Sequence, residues 1–200
     1  MVKDFLNDSF LIYKKALEHY EINKYFSNPP TQEERSYLQN NSFFRFIKVA
    51  MFKLAVLEIC KLIGRGRNDH YSLYKTHIKF QKENISKFNS DEQLILLISD
   101  LETKEDAVQK LLTLRNKFYA HTDTDRVDPN LFYVEMDEIF NLVFLILNQM
   151  CFVYSNNEHK NITVNFKPEK FNLIKNLIED KNRRRMDIFN QLRLGKEPEI

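Results

Sequence analysis

Apolar residues recur along this chain at helical spacing, and the recurrence lays out its elements. Leu6, Phe10, Tyr13, Leu17 and Tyr20 follow one another at offsets of four, three, four and three, which places them on one face of a first helix. Asn28-Pro29-Pro30 ends it, because proline has no amide for the next turn and restricts the residue before it. A second helix is predicted from about Glu33 to Ile63. It carries one stripe of Phe43, Ile47, Ala50, Leu54 and Leu57 and a second of Val49, Phe52, Val56, Ile59 and Ile63. A helix apolar most of the way round belongs at the centre of a bundle.

Gly64-Arg65-Gly66-Arg67-Asn68-Asp69 reads as a loop, followed by a short helix near Leu73 to Phe88. Ser90 is placed to cap a further short helix through Ile98. The next helix spans about Lys104 to His121, with Ala107, Leu111, Leu114 and Phe118 facing the core, and Thr122-Asp123-Thr124-Asp125 ends it. Asp128 then caps, and Pro129 starts, a helix that continues to about Tyr154. Its most apolar run, Phe140 to Tyr154, is interrupted by Asn141, Asn148 and Gln149 and falls short of the ~20 residues that cross a bilayer, so it reads as a buried pillar. After a break at Ser155-Asn156-Asn157, Asn161 to Phe166 suits a short extended piece. Pro168 opens a last amphipathic helix through Phe171, Ile174, Leu177 and Ile178, ahead of a polar tail.

These elements predict an all-α, up-and-down helical bundle over residues 1–155, with additional short helices, and a C-terminal helical arm over residues 156–200 packed on it. Composition agrees: the chain has 3 Gly, 5 Pro and no Trp, and no repeat or low-complexity tract marks a second domain. Thirty basic side chains against 28 acidic ones leave a formal charge of +2, so any nucleic-acid site has to be local. Cys60 and Cys151 lie inside apolar helical patterns and read as reduced core residues. Charges interrupt the N-terminal stretch where a signal peptide needs an apolar run, and a cytoplasmic protein is expected.

Candidate chemistry concentrates in residues 111–125, where Arg115, Asn116 and His121 stand near one helix end. On a regular α-helix the six positions from Arg115 to His121 amount to about 9 Å along the axis and about 120° around it. The two side chains would then flank one phosphate rather than touch. A histidine at a helix C-terminus, with Asp123 or Asp125 nearby, can give or take a proton near neutrality. An arginine offers a charged fork of donors to a phosphate oxygen whose charge grows during displacement. RNA carries its own nucleophile in the 2′-hydroxyl, so cleavage needs a base, an acid and a charge stabiliser; no metal or cofactor is called for. One histidine per chain cannot readily serve as both acid and base, which predicts a composite site at the twofold axis of a homodimer.

Arg65 and His70 fall within the same four-to-six-residue range of spacing in a glycine-rich connection, where a loop gives them no rigid support. His70 and His77 have no further ligand to complete a zinc set, and no phosphate-binding glycine loop or nucleophile elbow is present.

The window Leu114-Arg115-Asn116-Lys117-Phe118-Tyr119-Ala120-His121-Thr122-Asp123 resembles the signature of HEPN domains, an Arg followed after four to six residues by a His, with a polar residue often next to the Arg. Within that superfamily it is similar to the abortive-infection, AbiU-like branch. The resemblance implies a helical bundle, homodimerisation through the motif region and metal-independent ribonuclease activity that leaves a 2′,3′-cyclic phosphate. It gives Arg115 and His121 the catalytic roles and Asn116 a supporting one.

Lys117, Arg183, Arg184 and Arg185 are candidate RNA contacts, needed because Asp123, Asp125, Asp128, Glu135, Asp137 and Glu138 make the neighbourhood of the motif acidic. The competing reading is a non-catalytic module that binds a nucleotide or a protein partner such as a cognate inhibitor, with His121 a structural residue extending the stripe of Leu114 and Phe118.

Overall fold

The computed structural model describes residues 2–82, 91–119, 131–155 and 169–193. Among these the chain is all-α, with no strand, as the sequence predicts. The first helix, α1, spans Val2–Ser27 and ends just before the two prolines. Of the predicted stripe Leu6, Tyr13 and Tyr20 are buried and Phe10 and Leu17 partly so, Ala16 joins them in the core, and α1 makes its most extensive packing with α3 (Ser42–Ile63).

The predicted single helix over 33–63 is in fact two. α2 covers Gln32–Gln39, where Thr31 and Glu34 form a reciprocal capping box, and α3 begins after Asn41, whose side chain accepts from the Phe43 amide at 3.0 Å. Asn40-Asn41 offers the backbone this alternative partner, and the chain turns there instead of continuing. The break also reassigns the apolar stripes. α3 buries Phe44, Ala55, Val56, Ile59, Cys60, Leu62 and Ile63. The stripe begun by Phe43 faces outward, with Phe43 60% and Leu54 37% exposed, and Val49 of the other stripe is exposed as well.

α4 runs over Leu73–Lys82, α5 over Glu92–Thr103 and α6 over Glu105–Thr113. Asp91, not Ser90, caps α5: its carboxylate accepts from the Leu94 amide at 2.7 Å and also from the Gln149 side-chain amide at 3.0 Å. Ser90 itself lies outside the described residues. The second pillar, α7, spans Tyr133–Ser155 and buries Met136, Ile139, Phe140, Val143, Ile146, Leu147 and Met150. Tyr20 ties it to α1, stacking on Phe140 with ring centroids 4.8 Å apart and donating its hydroxyl to the Tyr133 carbonyl at 3.0 Å.

By length and composition Tyr133–Tyr154 is long and apolar enough to cross a membrane, contrary to the shorter apolar run read from the sequence; half of that stretch is buried in the bundle. The proposed cap at Asp128-Pro129 and the extended piece at Asn161 to Phe166 lie outside the described residues.

The last helix, α8, is far longer than its apolar stripe suggested. It runs over Glu169–Arg193, about 37 Å at 1.5 Å per residue. Ile174 and Ile178 root it in a second small core with Leu38 of α2 and Phe44 of α3. From Lys181 to Asn190 every residue is exposed, including Met186 and Phe189, so the chain past the apolar stripe is a helix that continues beyond the surface on which it is anchored.

Candidate functional site

Arg115 and Asn116 do not sit on a regular α-helix. After Thr113 the chain passes into a π-helical turn over Leu114–Tyr119, which holds one residue more per turn than the α-helix before it. Leu114 stays buried in the core and fixes the start of the turn. The extra residue changes the direction in which successive side chains leave the axis, so the rise and rotation of an ideal helix do not describe Leu114–Tyr119.

The Arg115 guanidinium is held on three sides. Nη1 donates to Asp69 Oδ1 at 3.0 Å and to the Cys60 carbonyl at 3.5 Å, while Nε donates to Asn116 Oδ1 at 2.9 Å. The Arg115 side chain is 23% exposed and that of Asp69 14%. The ion pair is therefore half-buried, fixed by protein contacts yet within reach of a ligand from solvent. The Asn116 carboxamide thus contacts Arg115 directly.

Asp69 comes from the glycine-rich loop over residues 64–69, which, contrary to the expectation of a loop without rigid support, is braced from several sides. Asp69 Oδ2 accepts from the Gly66 amide at 2.6 Å, and the Asp69 amide donates to the Gly66 carbonyl at 3.0 Å. The Lys75 ammonium donates to the Gly66 and Arg67 carbonyls and braces the loop from α4. Gly64 leaves room for the carboxylate: a Cβ there would lie 2.6 Å from Asp69 Cγ and 2.8 Å from the Cys60 carbonyl oxygen. The same loop is fastened to α6 and α4 by Arg65, which pairs with Glu105 at 3.3 Å and lies 4.2 Å over the Tyr74 ring. The one cue to Asp69 in the sequence is the pair of glycines that precede it, residues suited to close backbone approach.

Cys60 lies against this cluster, and burial pushes its thiol up to about 12, with Arg115 pulling in the opposite direction. It is a packing residue, not a nucleophile. The acids beyond the motif carry less unbalanced charge than the sequence suggested: Glu135 pairs with Lys110 at 2.7 Å, Glu138 with Lys104 at 2.7 Å and Asp137 with Lys24 at 3.0 Å.

His121, Asp123, Asp125 and Asp128 lie outside the described residues, as does Arg126. Lys117 belongs to the π-helical turn. Arg183 and Arg184 both pair with Asp180 on exposed α8, and Arg185 lines a shallow cavity beside Tyr37 and Glu33 of α2. The basic run is thus placed on the α2 side, near Phe44 at the start of α3, whereas Arg115 touches Cys60 near its end, about 24 Å along the helix.

Chemically, the described part of the site is a permanently charged, oriented guanidinium at the edge of the bundle, adjacent to a carboxamide. Such a group can hold a phosphate oxygen. A family model of HEPN type, described as AbiU2, matches residues 2–170 of this chain. No curated protein and no solved structure matches it.

Proposed function

The chain belongs to the AbiU2 family of HEPN-like, abortive-infection proteins, and on that premise we propose that it is a metal-independent endoribonuclease acting as a cytoplasmic homodimer in a bacterial defence or toxin–antitoxin setting. The observation that carries the reading is the fixed, partly exposed Arg115 guanidinium, oriented by Asp69 and Asn116 at the position where the family signature has its arginine.

In this mechanism the 2′-hydroxyl oxygen of RNA attacks the adjacent phosphorus while His121 of one protomer accepts its proton. The bond from phosphorus to the 5′-oxygen breaks, and His121 of the other protomer protonates that oxygen, leaving a 2′,3′-cyclic phosphate. Arg115 neutralises charge on the non-bridging oxygens as the phosphorane forms.

The test is digestion of RNA by purified protein in EDTA. His121→Ala should slow cleavage about a hundred- to ten-thousandfold with the fold intact, and Arg115→Ala about a hundred- to a thousandfold. Equal cleavage by wild type and His121→Ala defeats the proposal, and a monomer in gel filtration removes its second proton carrier.

A second reading draws on a specific observation: Nε and Nη1 of Arg115 already hold protein acceptors, as a structural strut would. The chain would then be a non-catalytic module that binds a nucleotide or a protein partner such as a cognate inhibitor. Under that reading wild-type protein leaves RNA intact in EDTA.

A further inference from the structure

At the opposite end of α3 from Arg115, the ends of α1 and α2 and the start of α3 enclose a cavity of about 180 Å³. Three cationic side chains line it, Arg35 from α2 and Arg45 and Lys48 from α3, together with Ser27, Gln39 and an apolar floor that includes Phe26 and Phe44. No carboxylate is among its lining residues. Among the described residues none of the three cations has an ion pair. Lys24, Lys104, Lys110 and Arg115, by comparison, each have an acidic partner on another element; what distinguishes Arg35, Arg45 and Lys48 is that they converge on one concavity.

The nearest acids on α2 are occupied elsewhere. Glu34 accepts from the Tyr25 hydroxyl and from Thr31, and Glu33 accepts from Asn182 of α8. The cavity wall is also well supported. Asn23, itself buried, donates to the Lys48 carbonyl at 2.9 Å and accepts from the Tyr133 hydroxyl at 2.8 Å, fixing the turn of α3 that carries Lys48. Gathering three like charges around one concavity costs Coulomb energy that a bound anion would repay. The half-charge at the C-terminus of α1 is small against three full charges.

We propose that this cavity is an anion site that takes a phosphoryl group, with Arg35, Arg45 and Lys48 as its ligands. The volume, about six waters at ~30 Å³ each, suits a phosphate and its immediate substituent; a drug-sized ligand needs ~300 Å³ or more. Guanidinium forks select tetrahedral oxyanions by paired donors, and the lysine adds a point charge. The phosphoryl group can arrive as a free phosphate ester or as part of an RNA backbone. The site lies about 22 Å along α3 from Cys60, the residue that touches Arg115, and the inference is independent of the ribonuclease reading.

The experiment is titration of the full chain at low salt with two probes, pyrophosphate by calorimetry and a single-stranded RNA oligonucleotide by fluorescence anisotropy. The proteins compared are wild type, Arg45→Gln/Lys48→Gln, and Arg193→Gln as a control for the loss of a cation at the far end of α8. The double variant should bind pyrophosphate at least tenfold more weakly with an unchanged ligand-free melting temperature, and the control should bind as wild type does. If RNA affinity falls tenfold in parallel, the site holds RNA backbone; if only pyrophosphate responds, its ligand is a small phosphate ester. Wild-type protein that binds neither probe, or a double variant that binds both as well as wild type, overturns the proposal.

Discussion

Asp69 and Arg115 stand 46 positions apart and meet at 3.0 Å, so the loop after α3 supplies the counter-ion for the turn after α6. The pair is buried enough to hold one geometry and open enough to be screened. Asp69→Asn should therefore lower stability by about 1 kcal/mol, with most of that loss absent when Arg115 is already alanine. Urea unfolding of both single variants and the double variant measures the coupling, and purely additive losses would show that the contact does not anchor Arg115.

Gly64→Ala asks for space that the loop does not have. Its methyl would press on the Asp69 carboxylate and on the Cys60 carbonyl, a backbone atom that cannot swing away. A cost of about 1–3 kcal/mol is expected. Gly66→Ala should cost less, because there a Cβ comes within 3 Å only of Asp69 Oδ2, at 2.8 Å, the tip of a side chain. Thermal melts of the two variants, ranked against each other, check the order.

Acid should weaken the fold through two histidines. Burial lowers the pKa of His77, and burial likewise lowers that of His19 against the opposing pull of Glu58 and Glu18. A histidine whose folded pKa lies below its unfolded value near 6.5 contributes stability that is complete above that value and lost as the pH falls through it toward the folded pKa. The urea midpoint should drop between pH 7 and pH 5, and His77→Gln should drop less steeply than wild type over the same range.

The cysteines act in the alkaline direction. Burial pushes the Cys60 thiol up to about 12 and the Cys151 thiol up to about 11, while an unfolded chain ionises both near the ordinary thiol value. Stability should hold below about pH 8.5 and fall as the pH rises from there toward those folded values. Native protein at pH 8 should resist alkylation at both positions, with mass spectrometry showing label only after denaturant is added; fast labelling of folded protein would contradict the burial.

What could be read from the sequence was governed by range. The stripe of α1 and its proline stop are local, as is the apolar run of α7, and all three are realised. Asn40-Asn41 was also local, yet the two apolar stripes on either side concealed a cap that only needs one amide, that of Phe43. Phe43 and Leu54 look like core residues at helical spacing and face outward because α1 and α7 cover the other side of α3. Arg115 and Asn116 were marked by residue type, but the partner of Arg115 was not, since no periodicity links position 69 to position 115. The length of α8 was hidden because its second half has nothing to pack against, and an apolar stripe was the only cue for a helix there.

The π-helical turn at Leu114–Tyr119 has a consequence for anyone who edits this chain. It stores a single residue of slack. Removing one residue between Asn116 and Tyr119 would take up that slack: the turn would rewind as ordinary α-helix and end close to its present heading relative to Leu114. The same deletion within the regular helix Glu105–Thr113 has no slack to draw on and would turn Leu114 and Arg115 by about 100° away from their seats. One residue fewer is thus absorbed within this turn and disruptive a few positions before it.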